Sequence, residues 1–209
     1  MQVWQVLAIG ACAGLASLML VPIERVVSSR KSPLILRATT LLQPALLTAV
    51  AVGVGCILGP SVGLGSPLIE AILAQGDVQS AFLVTVPIAL LAGAFLAMVL
   101  ILYELRLAPK LPKSPLAAKL GAPPLATRLL YGGIVEELIA RWGLVSLFVW
   151  IAWRLSLRPT HVPSAYYWVA ISASAVLFAA GHLPLLFASA GRPPVSLARI
   201  SHGIRCIEA

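Results

Sequence analysis

Charge is the first thing this chain has little of. Its 209 residues hold 15 Lys and Arg, 7 Asp and Glu, and a charged fraction of 11%. A soluble domain carries about 25% charged and about 45–50% apolar residues. Here the apolar fraction is 60% and the mean hydropathy +0.98. That balance excludes a soluble globular domain and points to an integral membrane protein.

Cysteine is also scarce. Cys12, Cys56 and Cys206 form no CxxC and no Cys/His cluster, which excludes a disulfide framework and a structural zinc site. There is no Gly-rich phosphate loop and no HExxH helix. Neither an internal repeat nor a matched pair of interrupted helices marks a transporter. The start, Met1-Gln2-Val3-Trp4-Gln5, lacks a positive n-region, and the apolar run after it lacks a small-residue cleavage site. The first run is therefore expected to be an uncleaved span. The net charge of +8 invites a nucleic-acid reading. The bases, however, fall between apolar runs, as membrane topology requires, so no nucleic-acid partner is expected and the lipid bilayer is.

What is present is a series of apolar runs. The expected fold is all-α, a polytopic membrane helix bundle of about five transmembrane helices, with residues 1–200 as one integral-membrane domain. The spans are expected at about Val3–Ile23, Leu41–Leu58, Ala81–Tyr103, Leu129–Trp153 and Ser164–Phe187. Span two is rich in small residues, which suits close packing of membrane helices. Between spans two and three, Ser66 before Pro67 reads as an N-cap and Glu70 falls in the first turn, predicting a short surface helix over Pro67–Ala74. Arg25, Arg30, Lys31 and Arg37 follow span one. Arg106, Lys110, Lys113, Lys119 and Arg128 follow span three, in a proline-rich loop expected on the headgroups. The Gly59–Ser80 loop has no Lys or Arg. The positive-inside rule then places the N-terminus outside and the basic segments in the cytoplasm; only Arg154 and Arg158 run against it.

Span four carries the chemistry: Gly132-Gly133-Ile134-Val135-Glu136-Glu137-Leu138-Ile139-Ala140-Arg141-Trp142-Gly143. A charge at the centre of a membrane helix costs about 2.5–3.5 kcal/mol on insertion scales, so three so close together need partners or a task. Glu137 and Arg141 are four apart with the acid first, the better order for a helical ion pair. Glu136 has no basic partner one turn away, and an unpaired carboxyl in low dielectric is a candidate general base. The small neighbours Gly132, Gly133, Ala140 and Gly143 leave room for a close helix contact or a water. In span five, Phe178 and His182 share a helix face, and Pro184 should bend or end the helix nearby. At 1.5 Å per residue Glu136 lies about 10 Å and His182 about 7 Å from the cytoplasmic ends of their spans, so the two can meet at one level.

Glu136-Glu137-x-x-x-Arg141 followed by Phe178-x-x-x-His182 resembles the first two motifs of the CPBP family, the intramembrane endopeptidases related to the type II CAAX prenyl protease and also called the Abi family. The resemblance covers roughly residues 60–200. It implies an endopeptidase in which Glu136 and His182 activate a water that attacks a peptide carbonyl near the cytoplasmic face. Glu137 with Arg141 would form the supporting pair, and Phe178 would pack beside the site. It implies no cofactor and no obligatory metal, a peptide or lipidated-protein substrate, and a bacterial cytoplasmic membrane; it leaves the oligomeric state open. Bacterial members are linked to bacteriocin maturation, self-immunity and surface-protein processing.

The family's third motif, HxxxN, is not matched. His202 is followed at the fourth position by Cys206, and residues 201–209 are too few to span a bilayer. They are expected to be a short non-family tail left by truncation, with activity impaired. Three other readings stay open at this stage. One is a catalytically degenerate membrane protein acting by binding, in an immunity or scaffold role. A second is a carrier using Glu136, and a third is a zinc hydrolase with Glu136 and His182 as ligands.

Overall fold

The computed structural model describes residues 2–23, 32–107, 123–157 and 159–189. The bases at 25, 30 and 31, most of the proline-rich loop, Arg158 and the tail with His202 and Cys206 lie outside the described residues.

The described residues are helical and contain no strand. They form α1 (Val3–Ser17), α2 (Pro33–Leu58), α3 (Pro67–Leu73), α4 (Val78–Arg106), the composite helix α5, and α6 (Ser164–Ser189). Helix α5 runs through four consecutive segments. Leu125–Thr127 and Ser146–Leu155 are α-helical, Arg128–Val135 and Leu138–Val145 are π-helical, and Glu136 and Glu137 lie between the two π stretches. Four segments are long and apolar enough to cross a membrane: Val3–Leu20, Leu34–Val62, Val78–Arg106 and Ser164–Leu183. Helix α5, the expected fourth of five spans, is not among them; its longest uniform segment, Ser146–Leu155, has 10 residues.

Several boundaries differ from the sequence expectation, each for a local reason. Helix α2 begins at Pro33, eight residues before the expected Leu41. Pro33 does not break the helix but opens it, since proline suits the first helical position. Ser32 accepts the Ile35 amide at 3.4 Å. Thr39 and Thr40, expected in a loop, return their hydroxyls to backbone carbonyls one turn back. Arg37, though basic, is inside the helix and donates to the Met19 carbonyl at 3.1 Å. The short helix falls as expected at Pro67–Leu73, but the Ser66 side chain does not cap it. Instead the Glu70 carboxylate accepts the Ser66 amide at 2.9 Å. Helix α6 continues to Ser189, past Pro184. Arg154, the residue at odds with the charge rule, lies 5.3 Å over the Trp150 ring, a cation–π contact.

Helix α5 is the centre of the bundle, packing on α1 in its first half, on α2 in its second and on α6 along one side. Two close approaches set this. A Cβ on Gly14 of α1 would sit 2.6 Å from the Leu130 carbonyl oxygen. One on Gly143 of α5 would sit 2.6 Å from Ala51 Cβ and 2.8 Å from Ala51 Cα on α2. Small residues at such crossings let membrane helices gain dispersion contact where no hydrophobic driving force exists. Around them lie two apolar clusters. Ala11, Val52 and Leu138 join α1, α2 and α5, while Val62, Val145, Val149 and Ala170 join α5 and α6 to the turn after α2. Hydrogen bonds between the elements add to this. Thr127 donates to the Ser17 carbonyl at 2.8 Å, Tyr167 to the Val62 carbonyl at 2.6 Å, and Ser174 to the Ala140 carbonyl at 2.6 Å.

Helix α4 stands apart. It packs on α3, no residue of it is buried, and Leu90, Leu91 and Phe95 are among its exposed side chains. A helix apolar all round belongs in a core or in lipid. With its surface open, α4 belongs in lipid.

Candidate functional site

The ion pair inside α5 forms as spaced. Arg141 Nε lies 2.8 Å from Glu137 Oε2, with side-chain exposures of 71% and 45%. The pair faces a cavity of about 330 Å³ lined by Gly133, Glu137, Arg141, Trp142, Ser146 and by Leu64 and Gly65 from the turn after α2. Gly133 opens this wall, since a Cβ there meets nothing within 4 Å. A Cβ on Gly132 would instead lie 3.8 Å from Glu136 Oε2. Gly143 makes the close helix contact, the first of the two uses expected of these small residues, since a Cβ there would meet Ala51 of α2.

Glu136 is half-buried and takes part in no ion pair among the described residues. Glu136 on α5 lies within electrostatic range of Glu137 and of His182 on α6. Ser174 ties α6 to α5 near this level, its hydroxyl donating to the Ala140 carbonyl one turn beyond Glu136.

His182 is exposed and its ring is 4.7 Å from that of Phe178, tilted by 54°. Its Nδ1 lies 2.8 Å from the Phe178 carbonyl oxygen. A carbonyl only accepts, so Nδ1 carries the proton. In the neutral ring Nε2 is then the acceptor. The backbone of Phe178 therefore orients the ring and chooses its tautomer, a role beyond the packing expected of its side chain.

One residue near the site escapes a reading of the sequence. Tyr131, half-buried, lies within reach of the Glu136 charge. In an α-helix residues 131 and 136 would be about 140° apart. The π segment Arg128–Val135 closes i→i+5 hydrogen bonds, which brings a five-residue spacing close to one turn. No composition or periodicity signal marks that change; only the aromatic hydroxyl five residues before the acid pair is there to be noticed.

Trp142 packs against Gly55 of α2, and its buried indole nitrogen has no hydrogen-bond partner among the described residues. Among the described residues no three His, Cys, Asp or Glu side chains group as metal ligands.

No protein-family model, curated protein or solved structure matches the chain. The class that the fold defines is an all-α membrane protein, with Glu136 of its central helix and His182 of α6 within electrostatic range of each other.

Proposed function

We propose that the chain is a membrane-embedded peptide hydrolase of the CPBP type, in a bacterial cytoplasmic membrane with its N-terminus outside. The observation that carries the reading is the division of labour between adjacent acids. Glu137 is neutralised by Arg141, while Glu136 is left to act with a histidine whose tautomer is set by the Phe178 carbonyl.

In the proposed reaction His182 Nε2 accepts a hydrogen bond from a water and Glu136 removes its proton. The hydroxide adds to a peptide carbonyl carbon, and the C=O pair moves to oxygen. When the tetrahedral intermediate collapses, the C–N bond breaks and the proton held by Glu136 passes to the leaving amine. Glu136 returns to a carboxylate, and the products are an acid and an amine. Positioned proton transfer of this kind contributes about 100- to 10,000-fold in rate.

The test uses the full chain in nanodiscs with an internally quenched peptide ending in a CAAX sequence, farnesylated or plain. Glu136→Gln and His182→Ala should each reduce cleavage by about 100-fold or more with helix content unchanged. Cleavage by both variants at the wild-type rate rejects the assignment. The farnesylated and plain arms separate lipidated from plain peptide as substrate. If neither peptide is cleaved by the wild-type chain and an isolated binding partner is still retained by the double variant, the scaffold reading replaces this one.

A further inference from the structure

The cavity between α1 and α2, about 510 Å³, takes no part in the chemistry above. Its walls are small and apolar, with Ala8 and Ala11 on α1 and Ala45, Ala49 and Gly53 on α2. Both walls lie within apolar segments long enough to cross a membrane. Water has no footing there, because a buried water needs two to four polar partners. The one hydroxyl in the wall, on Thr48, already donates to the Pro44 carbonyl at 2.6 Å. Cys12 and Cys56 offer only weak donors. A groove of this kind at hydrocarbon depth is filled by hydrocarbon, and its volume falls in the range of about 300–1,000 Å³ typical of ligand sites.

One end of the groove leads to a carboxylate. A smaller cavity of about 210 Å³ shares Trp4 and Cys56 with it and reaches Glu70. Glu70 is exposed and gives one carboxylate oxygen to the Ser66 amide, which leaves the other to bind. No Lys or Arg occurs anywhere in Gly59–Ser80. The small cavity also shares Leu64, Gly65 and Trp142 with that of the Glu137–Arg141 pair, whose charges cancel, so the net charge at this mouth is that of Glu70, which repels an anionic headgroup and complements an ammonium.

We propose that the α1–α2 groove holds one acyl chain of a phospholipid whose primary ammonium headgroup, as in phosphatidylethanolamine, pairs with Glu70. The groove is separate from Glu136 and His182, and its mouth adjoins the cavity of the Glu137–Arg141 pair.

Photoactivatable phosphatidylethanolamine or phosphatidylglycerol, each with a diazirine in the acyl chain, is built into nanodiscs with the full chain, and crosslinks are mapped by mass spectrometry. Helix α4 is the internal reference for annular lipid, since none of it is buried. Phosphatidylethanolamine should label segments holding Cys12 and Ala49 several-fold more than α4, and phosphatidylglycerol should not. Gly53→Leu, where a Cβ meets nothing within 4 Å, should fill the groove and reduce that labelling to the α4 level. Ala49→Leu is the second variant should the first fail to fold. Glu70→Gln should erase the preference between headgroups and keep the acyl-chain labelling. Equal labelling of groove and α4, or labelling untouched by the filling variants, means annular lipid only and overturns the site. Wild-type labelling by both lipids alike overturns the headgroup assignment.

Discussion

Two glycines on α5 should respond to the same substitution in opposite directions. Gly133→Ala and Gly143→Ala each remove a helical glycine, which favours the helix by about 0.5–1 kcal/mol. At Gly133 nothing follows, because the new methyl meets no atom within 4 Å. At Gly143 the methyl would lie 2.6 Å from Ala51 Cβ, 2.8 Å from Ala51 Cα and 3.3 Å from the Ala51 carbonyl. Two of those three atoms are backbone and cannot swing aside, so α2 and α5 must separate. Overpacking of this kind costs about 1–3 kcal/mol.

Since the propensity gain cancels between the two variants, the overpacking alone sets their difference. At about 2–4 °C per kcal/mol for a chain of this size, Gly143→Ala should melt about 2–12 °C below Gly133→Ala, and Gly133→Ala at or slightly above the native chain. The assay is thermal unfolding in one detergent, read by far-ultraviolet circular dichroism. Adding Ala51→Gly to Gly143→Ala should recover only part of the loss, because the backbone of residue 51 still stands in the way. Equal melting temperatures for the two variants would refute the close α2–α5 crossing. The comparison bears on function as well. Gly133 borders the cavity of the Glu137–Arg141 pair, so any loss of activity in a Gly133→Ala protein of full stability is a loss of space for a ligand.

The ion pair should behave as a unit. Arg141→Met leaves Glu137 unpaired and should lower stability by about 0.2–1 kcal/mol, the range for ion pairs this exposed. Glu137→Gln with Arg141→Met should lose less than Arg141→Met alone, and a double-mutant cycle in bicelles with no coupling would count against the pair. Ser174→Ala removes the buried bond from α6 to the Ala140 carbonyl and should cost about 0.5–1.5 kcal/mol. Peptide cleavage should fall further than unfolding accounts for, as His182 loses its register with Glu136; a matched loss of both would assign Ser174 to stability only. At the start of α4, hydrogen bonds from Ser80 hold the Asp77 carboxyl below its ordinary value of 3.8. Because the folded value is the depressed one, the cap is fully present above that ordinary value and is lost as pH falls through the lower one. The Ser80 amide shift, followed by NMR from about pH 6 to pH 2, should move only below the ordinary range and stay flat in Asp77→Asn.

How much of this the chain displays on its face depends on the range of the interaction. The apolar runs are local and long, so four of five spans emerge from composition and length. The i, i+4 pairs, Glu137 with Arg141 and Phe178 with His182, follow from spacing on one helix and are where spacing puts them. Pro33 misleads because a proline after a basic cluster looks like a break, whereas Ser32 before it is a start signal of the same kind as Ser66–Pro67. The partners of Gly143 and Gly55 are on another helix, and a sequence shows a small residue without showing what presses on it. The apartness of α4 is likewise a tertiary fact.

The π segments are the deepest case, because they alter the rule by which the sequence is read. Every facing argument over residues 128–145 rests on 3.6 residues per turn. Two stretches of i→i+5 bonding change that period on either side of Glu136 and Glu137. Neighbours four apart remain in contact, as the 2.8 Å ion pair shows, while neighbours five apart are drawn toward the same side. A helix of one period could tie off Glu137 with Arg141 but would carry Tyr131 away from Glu136. The mixed helix keeps both relations. Helices with such bulges are over-represented at functional sites, and here the bulges flank the two residues whose neighbours had to be rearranged. The acid pair and the irregular backbone are therefore one feature. The charges set what the helix must bring together, and the changed period is how one helix presents a paired acid and an unpaired one side by side.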